Sequence, residues 1–103
     1  MTSLKSLLQV MLLIGGSKEI VDMLLSRSDL DVNLMDIFGG TAFMYASKVA
    51  EGLEIVKLLL ERKDLDLDAK DNDGKTAEDF ATDHGNNEIV KIIRGERSRR
   101  MGR

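Results

Sequence analysis

The sequence predicts an all-α protein, a solenoid of about three helix-turn-helix units with protruding hairpin-like loops. The main observation is an internal repeat: Asp36-Ile-Phe-Gly-Gly-Thr-Ala42 returns 35 positions later as Asp71-Asn-Asp-Gly-Lys-Thr-Ala77. A second observation is that Glu-Ile-Val occurs three times, at Glu19, Glu54 and Glu88. A unit of this size cannot bury its own apolar face, so its core forms against neighbouring units.

Length and composition set the outer limits. The chain has 103 residues, which fits one domain, and three units are about the minimum for a stable repeat array. The formal net charge of -3 does not indicate a particular class of partner. A content of 43% hydrophobic residues is typical of a globular chain. Because there is no cysteine, disulfides, thiolate metal sites and a cysteine nucleophile are excluded. We expect an intracellular protein, cytoplasmic or nuclear, although absence of cysteine is also compatible with export.

The N-terminal segment begins with one lysine followed by an apolar run over residues 7–14, which superficially resembles an export signal. The run is in phase with the later units and leads into the first Glu-Ile-Val, so a helix of the first unit is the preferred interpretation. It is too short to span a bilayer, and no membrane association is expected.

The second helix of each unit is marked by Glu-Ile-Val followed by further apolar residues. In the runs 19–25 and 54–60, apolar residues fall at i, i+1, i+4 and i+5, and in the run 88–93 they fall at i, i+1, i+3 and i+4, a single stripe at helical period. The leading glutamate lies where a helix dipole favours negative charge, and Gly16 and Gly85 mark the turn before it. Each run predicts a helix with one buried face.

The first helix of the second and third units begins at a threonine, Thr41 or Thr76. A hydroxyl at this position accepts a hydrogen bond from the free amides of the first turn, and Thr76-Ala-Glu-Asp79 is an acidic variant of the capping box. Between units lies an Asp-rich segment, residues 64–74, whose equivalent begins at residues 29–33. Asn, Asp and Gly tolerate tight turns, so these segments predict protruding loops.

Together these features resemble the ankyrin repeat: Asp-x-x-Gly-x-Thr, a short helix, a Gly turn, then Glu-Ile-Val-x-x-Leu-Leu and a loop. The resemblance covers about residues 4–94 and implies a single domain, residues 1–94, followed by a basic tail, residues 95–103. The units are residues 4–35, 36–70 and 71–94. It also implies a protein-protein interaction module without catalytic activity.

This chain departs from the family pattern at a few positions. The histidine that ties neighbouring loops in the family is missing from Thr41-Ala-Phe-Met44 and Thr76-Ala-Glu-Asp79, which leaves loop rigidity open. The units are longer than usual, by one residue at 50–52 and one at 62–66, and both additions fall in turns. The third unit resembles the closing unit of an array, with polar residues in place of apolar ones.

The resemblance also implies a binding face, because in ankyrin arrays the loop tips and first helices form a concave surface. The residues that match it, called the binding face below, are Ile37, Phe38, Gly40, Lys48, Val49, Asn72, Asp73, Lys75 and Asp83. Ile37 and Phe38 are the most informative, because apolar residues at a loop tip need a cover and aromatic side chains anchor interfaces. The alternative is that Phe38 folds back onto the neighbouring loop. The acidic loops favour a basic protein partner.

The opening helix is apolar on more than one side, whereas a terminal repeat normally needs a polar outer face. One stripe consists of Leu4, Leu7, Leu8, Met11 and Leu12, and Val10, Leu13 and Ile14 form a second. Three interpretations stay open: the helix repacks into a compact cap, its face binds a second copy or another protein, or an upstream repeat has been lost.

Candidate chemical sites are weak. The acidic cluster comprises Asp64, Asp66, Asp68, Asp71 and Asp73. With Gly74 as the sixth residue of an EF-hand loop, the first is Ala69 and the last is Phe80, so a calcium site is not expected. The only histidine, His84, has no serine in a strained turn nearby, so catalysis is not expected. Gly15-Gly16 and Gly39-Gly40 lack the remaining elements of a phosphate loop. We expect no cofactor and no metal.

The C-terminal segment from Lys91 to Arg103 has six basic residues and one acid, a charge of +5, which leaves -8 for the rest of the chain. Such a tail is compatible with nucleic acid, an acidic surface or an import receptor as its target. It is equally compatible with a solubilising end, or with a tail that lies along the acidic loops of its own array. Without interleaved aromatic residues there is nothing to stack on bases, so nucleic acid is the less favoured alternative.

Overall fold

The computed structural model describes Met23 and residues 31–102, a part of the chain that contains four α-helices and one 3-10 helix. The α-helices are α1 (Ala42–Lys48), α2 (Leu53–Leu60), α3 (Ala77–Asp83) and α4 (Asn87–Met101), and the 3-10 helix is Ala50–Gly52. The all-α architecture is the one that the sequence predicts. The predicted helices of the first unit lie outside the described residues, apart from Met23.

Both first helices begin where the threonines predict. Thr41 caps α1 by accepting a hydrogen bond from the Met44 amide at 3.3 Å. Thr76 caps α3 by accepting from the Asp79 amide at 3.2 Å, and the Asp79 carboxylate accepts from the Thr76 amide at 3.0 Å. The predicted capping box is therefore confirmed, with aspartate in the place that glutamate usually takes.

The second helices are confirmed too, as α2 and α4. The chain enters α4 through Gly85, whose φ of +71° lies in the left-handed region that glycine adopts without strain. Residues 50–52, where the unit is longer by one residue, form the 3-10 turn between α1 and α2. A Cβ atom on Gly52 would lie 1.9 Å from the Ala46 carbonyl oxygen, so only glycine fits between the two helices.

The helices pack as two adjacent pairs. α1 packs against α2 and α3, and α4 packs against α2 and α3. The largest fully buried side chains are Phe43, Met44, Val56, Leu59, Ile89 and Ile93, together with Val32 from the preceding loop. Each large apolar side chain buried in this way contributes roughly 1.5–3 kcal/mol relative to an exposed one. The core is therefore shared between units, as expected for a repeat array.

Side-chain amides reinforce the contact between units. Asn33 donates to the Asp64 carbonyl at 2.8 Å and accepts from the Asp66 amide at 2.7 Å. Between the third and second units, Asn86 donates to the Ser47 carbonyl at 2.9 Å. Each asparagine therefore satisfies backbone groups of a neighbouring unit that no helix can pair.

The C-terminal helix is longer than its counterpart α2. The sequence interpretation divides the chain between residues 94 and 95, and this division stays a prediction; α4 itself runs through residue 95 and ends at Met101. None of the helices in the described ranges combines the length and the apolar character that crossing a bilayer requires.

Candidate binding face

Two hairpin-like loops precede the first helices, and they have the same backbone. In tip loop 1 (residues 36–40) the Asp36 amide donates to the Gly40 carbonyl and the Gly39 amide donates to the Asp36 carbonyl, both at 2.9 Å. In tip loop 2 (residues 71–75) the equivalent bonds, from Asp71 to Lys75 and from Gly74 to Asp71, are also 2.9 Å. The predicted loop type is confirmed.

The first aspartate of each loop sets its shape. One carboxylate oxygen of Asp36 accepts from the amide of Phe38 at 2.9 Å and from the amide of Gly40 at 2.8 Å. Asp71 accepts in the same way from the amides two and four residues later, both at 2.9 Å. The motif Asp-x-x-Gly thus encodes the turn locally, since the aspartate supplies the acceptor and Gly39, at φ +78°, supplies the left-handed residue.

The two loop tips are tied to each other. The backbone amide of Asn72 donates to the Phe38 carbonyl at 3.0 Å, and the Asn72 side chain donates to the Ile37 carbonyl at 3.1 Å. Gly39 permits this approach, because a Cβ atom there would lie 2.8 Å from the Asn72 backbone nitrogen. Loop rigidity, left open by the missing histidine, is therefore supplied by backbone and asparagine contacts.

Tyr45 on α1 stabilises tip loop 1 from the side. Its hydroxyl donates a hydrogen bond to the Asp36 carboxylate, and this bond, together with burial, raises the pKa of Tyr45 to about 12. Burial raises the pKa of Asp36, but hydrogen bonds from Tyr45 and from the amides of Gly40 and Phe38 outweigh it and hold that pKa below its ordinary value. Gly40 is buried against the Tyr45 hydroxyl.

Lys48 joins the two first helices. Its ammonium nitrogen lies 4.9 Å from the ring centre of Tyr45 and 4.6 Å from the ring centre of Phe80, which occupies the position of Tyr45 one repeat later. Both distances are within the range in which a cation is attracted to an aromatic face. The second lysine of the binding face, Lys75, pairs with Asp83 at 2.6 Å.

Three apolar side chains of the binding face are exposed: Ile37 by 85%, Phe38 by 67% and Val49 by 47%. The alternative in which Phe38 folds back onto the neighbouring loop is not what the structure shows. Met35, which the sequence interpretation did not include, is 50% exposed just before tip loop 1. Tip loop 1 therefore presents apolar surface on a backbone that is held in place.

The acidic residues between the units have different surroundings. Asp64 pairs with Arg62 and Asp68 pairs with Arg97, both at 2.7 Å. Asp73, at the tip of tip loop 2, is exposed, and its carboxylate has no ion-pair or hydrogen-bond partner among the described residues. Within the predicted acidic cluster, Asp64 and Asp68 are thus paired with arginines, whereas Asp73 at the tip is not.

Two arginines of the basic C-terminal segment, Arg97 and Arg100, contact other parts of the protein. Arg97 donates to Glu78 at 2.5 Å as well as to Asp68, and Arg100 donates to the carbonyl oxygens of Leu65 at 2.6 Å and Arg62 at 3.0 Å. Of the sequence alternatives for this segment, contact with the acidic loops of its own array is the one that the structure shows. The sequence offered no local signal for these contacts, because their partners lie between 19 and 38 positions away along the chain.

The self-association residues, Leu4, Leu7, Leu8, Met11 and Leu12, lie outside the described residues. A comparison with protein families matches residues 8–99 to the family described as ankyrin repeats, in 3 copies. A search of curated proteins found no significant match.

Proposed function

The chain belongs to the ankyrin-repeat family, and from this premise we propose that it is a non-catalytic module that binds a protein partner through its binding face. Ankyrin repeats generally mediate contacts between proteins. The binding face and the choice of partner are specific to this chain, because a repeat scaffold binds through surface side chains and fold alone does not determine function.

The observation that carries the proposal is the exposure of Ile37 and Phe38. Exposing large apolar side chains to water at a loop tip is unfavourable, and a partner that covers them removes this cost. Aromatic residues are also frequent anchors of interfaces. Burying the side chain of Phe38 alone is worth roughly 1.5–3 kcal/mol.

The rigidity of tip loop 1 supports the same proposal. Asp36 and Asn72 hold its backbone by hydrogen bonds, and Tyr45 holds the Asp36 carboxylate, before any partner arrives. A loop that is already ordered loses little conformational entropy on binding, so more of the contact energy appears as affinity.

The charge of the chain supports a basic partner. The six basic and one acidic residues of the C-terminal segment leave -8 on the remainder, and acidic surface accelerates the approach of a basic protein. An intracellular location, cytoplasmic or nuclear, is part of the proposal and is supported by the absence of cysteine.

Affinity capture with matched variants tests the proposal. The wild-type protein, Phe38→Ala and Met101→Ala are each used as bait, and captured proteins are identified by mass spectrometry. Met101 is 81% exposed at the end of α4, so its substitution removes a similar exposed apolar side chain away from the loop tips. We expect a partner that is captured by the wild type and by Met101→Ala but lost with Phe38→Ala, while all three unfold at the same denaturant concentration. Equal capture by all three contradicts the proposal.

Binding of nucleic acid or an acidic surface through the basic tail is the alternative, and the geometry gives it less support. Arg97 and Arg100 are occupied by acceptors of the protein itself. Binding to a DNA oligonucleotide that depends steeply on salt, with the slope of log affinity against log salt reduced by about one in Arg99→Gln, is the result that would favour this alternative.

Self-association through the N-terminal stripe is a separate part of the proposal, supported by the sequence pattern alone. Light scattering over a range of protein concentrations tests it. An increase in mass with concentration, suppressed by Leu8→Gln, is expected if the stripe forms an interface. A monomer at every concentration rules it out.

A further inference from the structure

The two tip loops have the same backbone but present different chemistry. In tip loop 1 the two residues after the aspartate are Ile37 and Phe38, and in tip loop 2 they are Asn72 and Asp73. Because the loops repeat the same turn, each pair occupies the same place in its unit. The binding face is therefore apolar in one unit and acidic in the next.

The apolar and acidic tips are immediate neighbours. The hydrogen bond from the Asn72 amide to the Phe38 carbonyl, 3.0 Å long, places the backbones of the two tips in direct contact, and Asp73 is the next residue. A single short segment of a partner can therefore contact both tips at once. Specificity arises when one ligand must satisfy two different neighbouring sites.

The two lysines of the binding face already have partners within the same protein. Lys48 lies between the rings of Tyr45 and Phe80, and Lys75 is bonded to Asp83 at 2.6 Å. Neither lysine is therefore presented as an isolated positive charge to a partner. In contrast, the Asp73 carboxylate is exposed and has no partner within the described ranges.

A count of formal charges agrees with this local picture. The tip loops and first helices carry six carboxylates, those of Asp36, Asp71, Asp73, Glu78, Asp79 and Asp83. Asp79 caps α3, and Glu78 pairs with Arg94 and Arg97. Without these two, four carboxylates against the two ammonium groups of the binding face leave a charge of -2. An acidic segment would be repelled by this face, and a basic one attracted.

Resting on the proposed function, we propose that the partner is recognised through a segment in which an apolar side chain stands beside a lysine or arginine. The apolar side chain packs on Ile37 and Phe38, and the cation pairs with Asp73. An apolar segment without the cation forms only half of the contact, and an acidic segment is rejected.

Selection from a library of random short peptides tests this recognition. The immobilised full-length protein selects binders, and each selected peptide is then measured against the wild type and Phe38→Ala. We expect selected sequences that combine an apolar residue with a neighbouring lysine or arginine, with binding to Phe38→Ala weakened about tenfold or more.

Affinity measurements on one selected peptide test the acidic tip directly. Asp73→Asn should weaken binding by roughly threefold to tenfold and reduce its salt dependence, since the removed group is an exposed charge. Glu61→Gln removes the same charge from an exposed residue at the end of α2, outside the binding face, and should change the affinity by less than about twofold.

The outcomes separate the two proposals. Selected peptides that need Phe38 but carry no basic residue, or that bind Asp73→Asn as well as the wild type, overturn the recognition inference and leave the proposed function in place. Peptides that bind Phe38→Ala as well as the wild type, or a library that yields no binder, count against both.

Discussion

Arg94 donates from Nε to a carboxylate oxygen of Glu78 at 2.9 Å. At both equivalent positions of the preceding unit the side chain is apolar. Counted from the capping threonines, Glu78 corresponds to Phe43; counted from Glu-Ile-Val, Arg94 corresponds to Leu60. Phe43 and Leu60 are buried, with 2% and 9% of their surface exposed. An ion pair thus replaces apolar contact at the last unit. This exchange agrees with the polar closing unit that the sequence predicts, and the closing role itself stays a prediction.

Glu78→Gln should destabilise the protein, because Arg97 and Arg94 both donate to the carboxylate. We expect the free energy of unfolding to fall by about 1 kcal/mol, since the site is partly exposed and solvent weakens the pairing. Urea denaturation at neutral pH measures the change. Glu61→Gln serves as the control and should alter stability by less than about 0.5 kcal/mol.

The lowered pKa of Glu78 predicts that the effect of Glu78→Gln on stability depends on pH. Burial raises the pKa of Glu78, but the hydrogen bonds and charges of Arg94 and Arg97 outweigh it, so the folded-state pKa lies below the ordinary value. The stability from a lowered pKa is complete above the unfolded-state value, about 4.3, and is lost as the pH falls through the folded-state value. The difference in unfolding free energy between wild type and Glu78→Gln should therefore be constant near neutral pH and shrink below about pH 4. A difference that grows on acidification contradicts this assignment.

The helix starts were predictable because their causes are local. Thr76 and Asp79 are three residues apart and complete each other's hydrogen bonds, so the sequence contains the whole capping box. The tip loops are similar, because Asp36 accepts from amides two and four residues later. Repetition strengthened both predictions, since the same local signal occurs twice.

The rigidity of the tip loops was not predictable from the family pattern, because different residues now supply it. Asp36 and Tyr45 are nine positions apart, and the contact of Lys48 with Phe80 crosses from one unit to the next. The recurrence of an aromatic residue 35 positions after Tyr45 was a visible signal. This recurrence indicates that Tyr45 and Phe80 are equivalent, but the contact of Lys48 with both rings depends on the packing of α1 against α3.

Two glycines provide a matched pair for testing the packing. Gly52→Ala should destabilise the protein by roughly 1–3 kcal/mol or more, because the new Cβ atom would lie 1.9 Å from the Ala46 carbonyl oxygen. Gly95→Ala should stabilise it by up to about 1 kcal/mol, because Gly95 lies inside α4 and a Cβ atom there meets open space. Thermal unfolding followed by circular dichroism compares the two. Stabilisation by Gly52→Ala would mean that α1 and α2 are further apart than described.

A second matched pair of variants, Thr76→Ala and Thr82→Ala, tests the capping box. Thr76→Ala removes the acceptor of the Asp79 amide and should lower the free energy of unfolding by about 1 kcal/mol. Thr82→Ala removes the same group from an exposed helical position, where the hydroxyl only donates back to the Glu78 carbonyl, and should have an effect within about 0.5 kcal/mol. Urea titrations of both variants provide the comparison. Equal effects would show that the cap makes no special contribution.

Tyr45 allows a direct measurement on tip loop 1, because it is the single tyrosine in a chain without tryptophan. Its hydrogen bond to Asp36, with burial, raises its pKa to about 12. A raised folded-state pKa contributes stability that is complete below the unfolded-state value, about 10, and is lost as the pH rises from there towards the folded-state value. An ultraviolet absorbance titration, with circular dichroism to verify folding at each pH, should therefore give a midpoint about two units above that of the denatured chain.

Asp36→Asn separates the hydrogen bond from burial as the cause of that shift. The amide oxygen of asparagine still accepts from the loop amides, so tip loop 1 keeps its turn while the negative charge beside the tyrosine is removed. We expect the Tyr45 midpoint to move down towards about 10, and the loss of stability at alkaline pH to become smaller. An unchanged midpoint in Asp36→Asn would show that burial alone raises the pKa, and that Tyr45 does not hold the loop through Asp36.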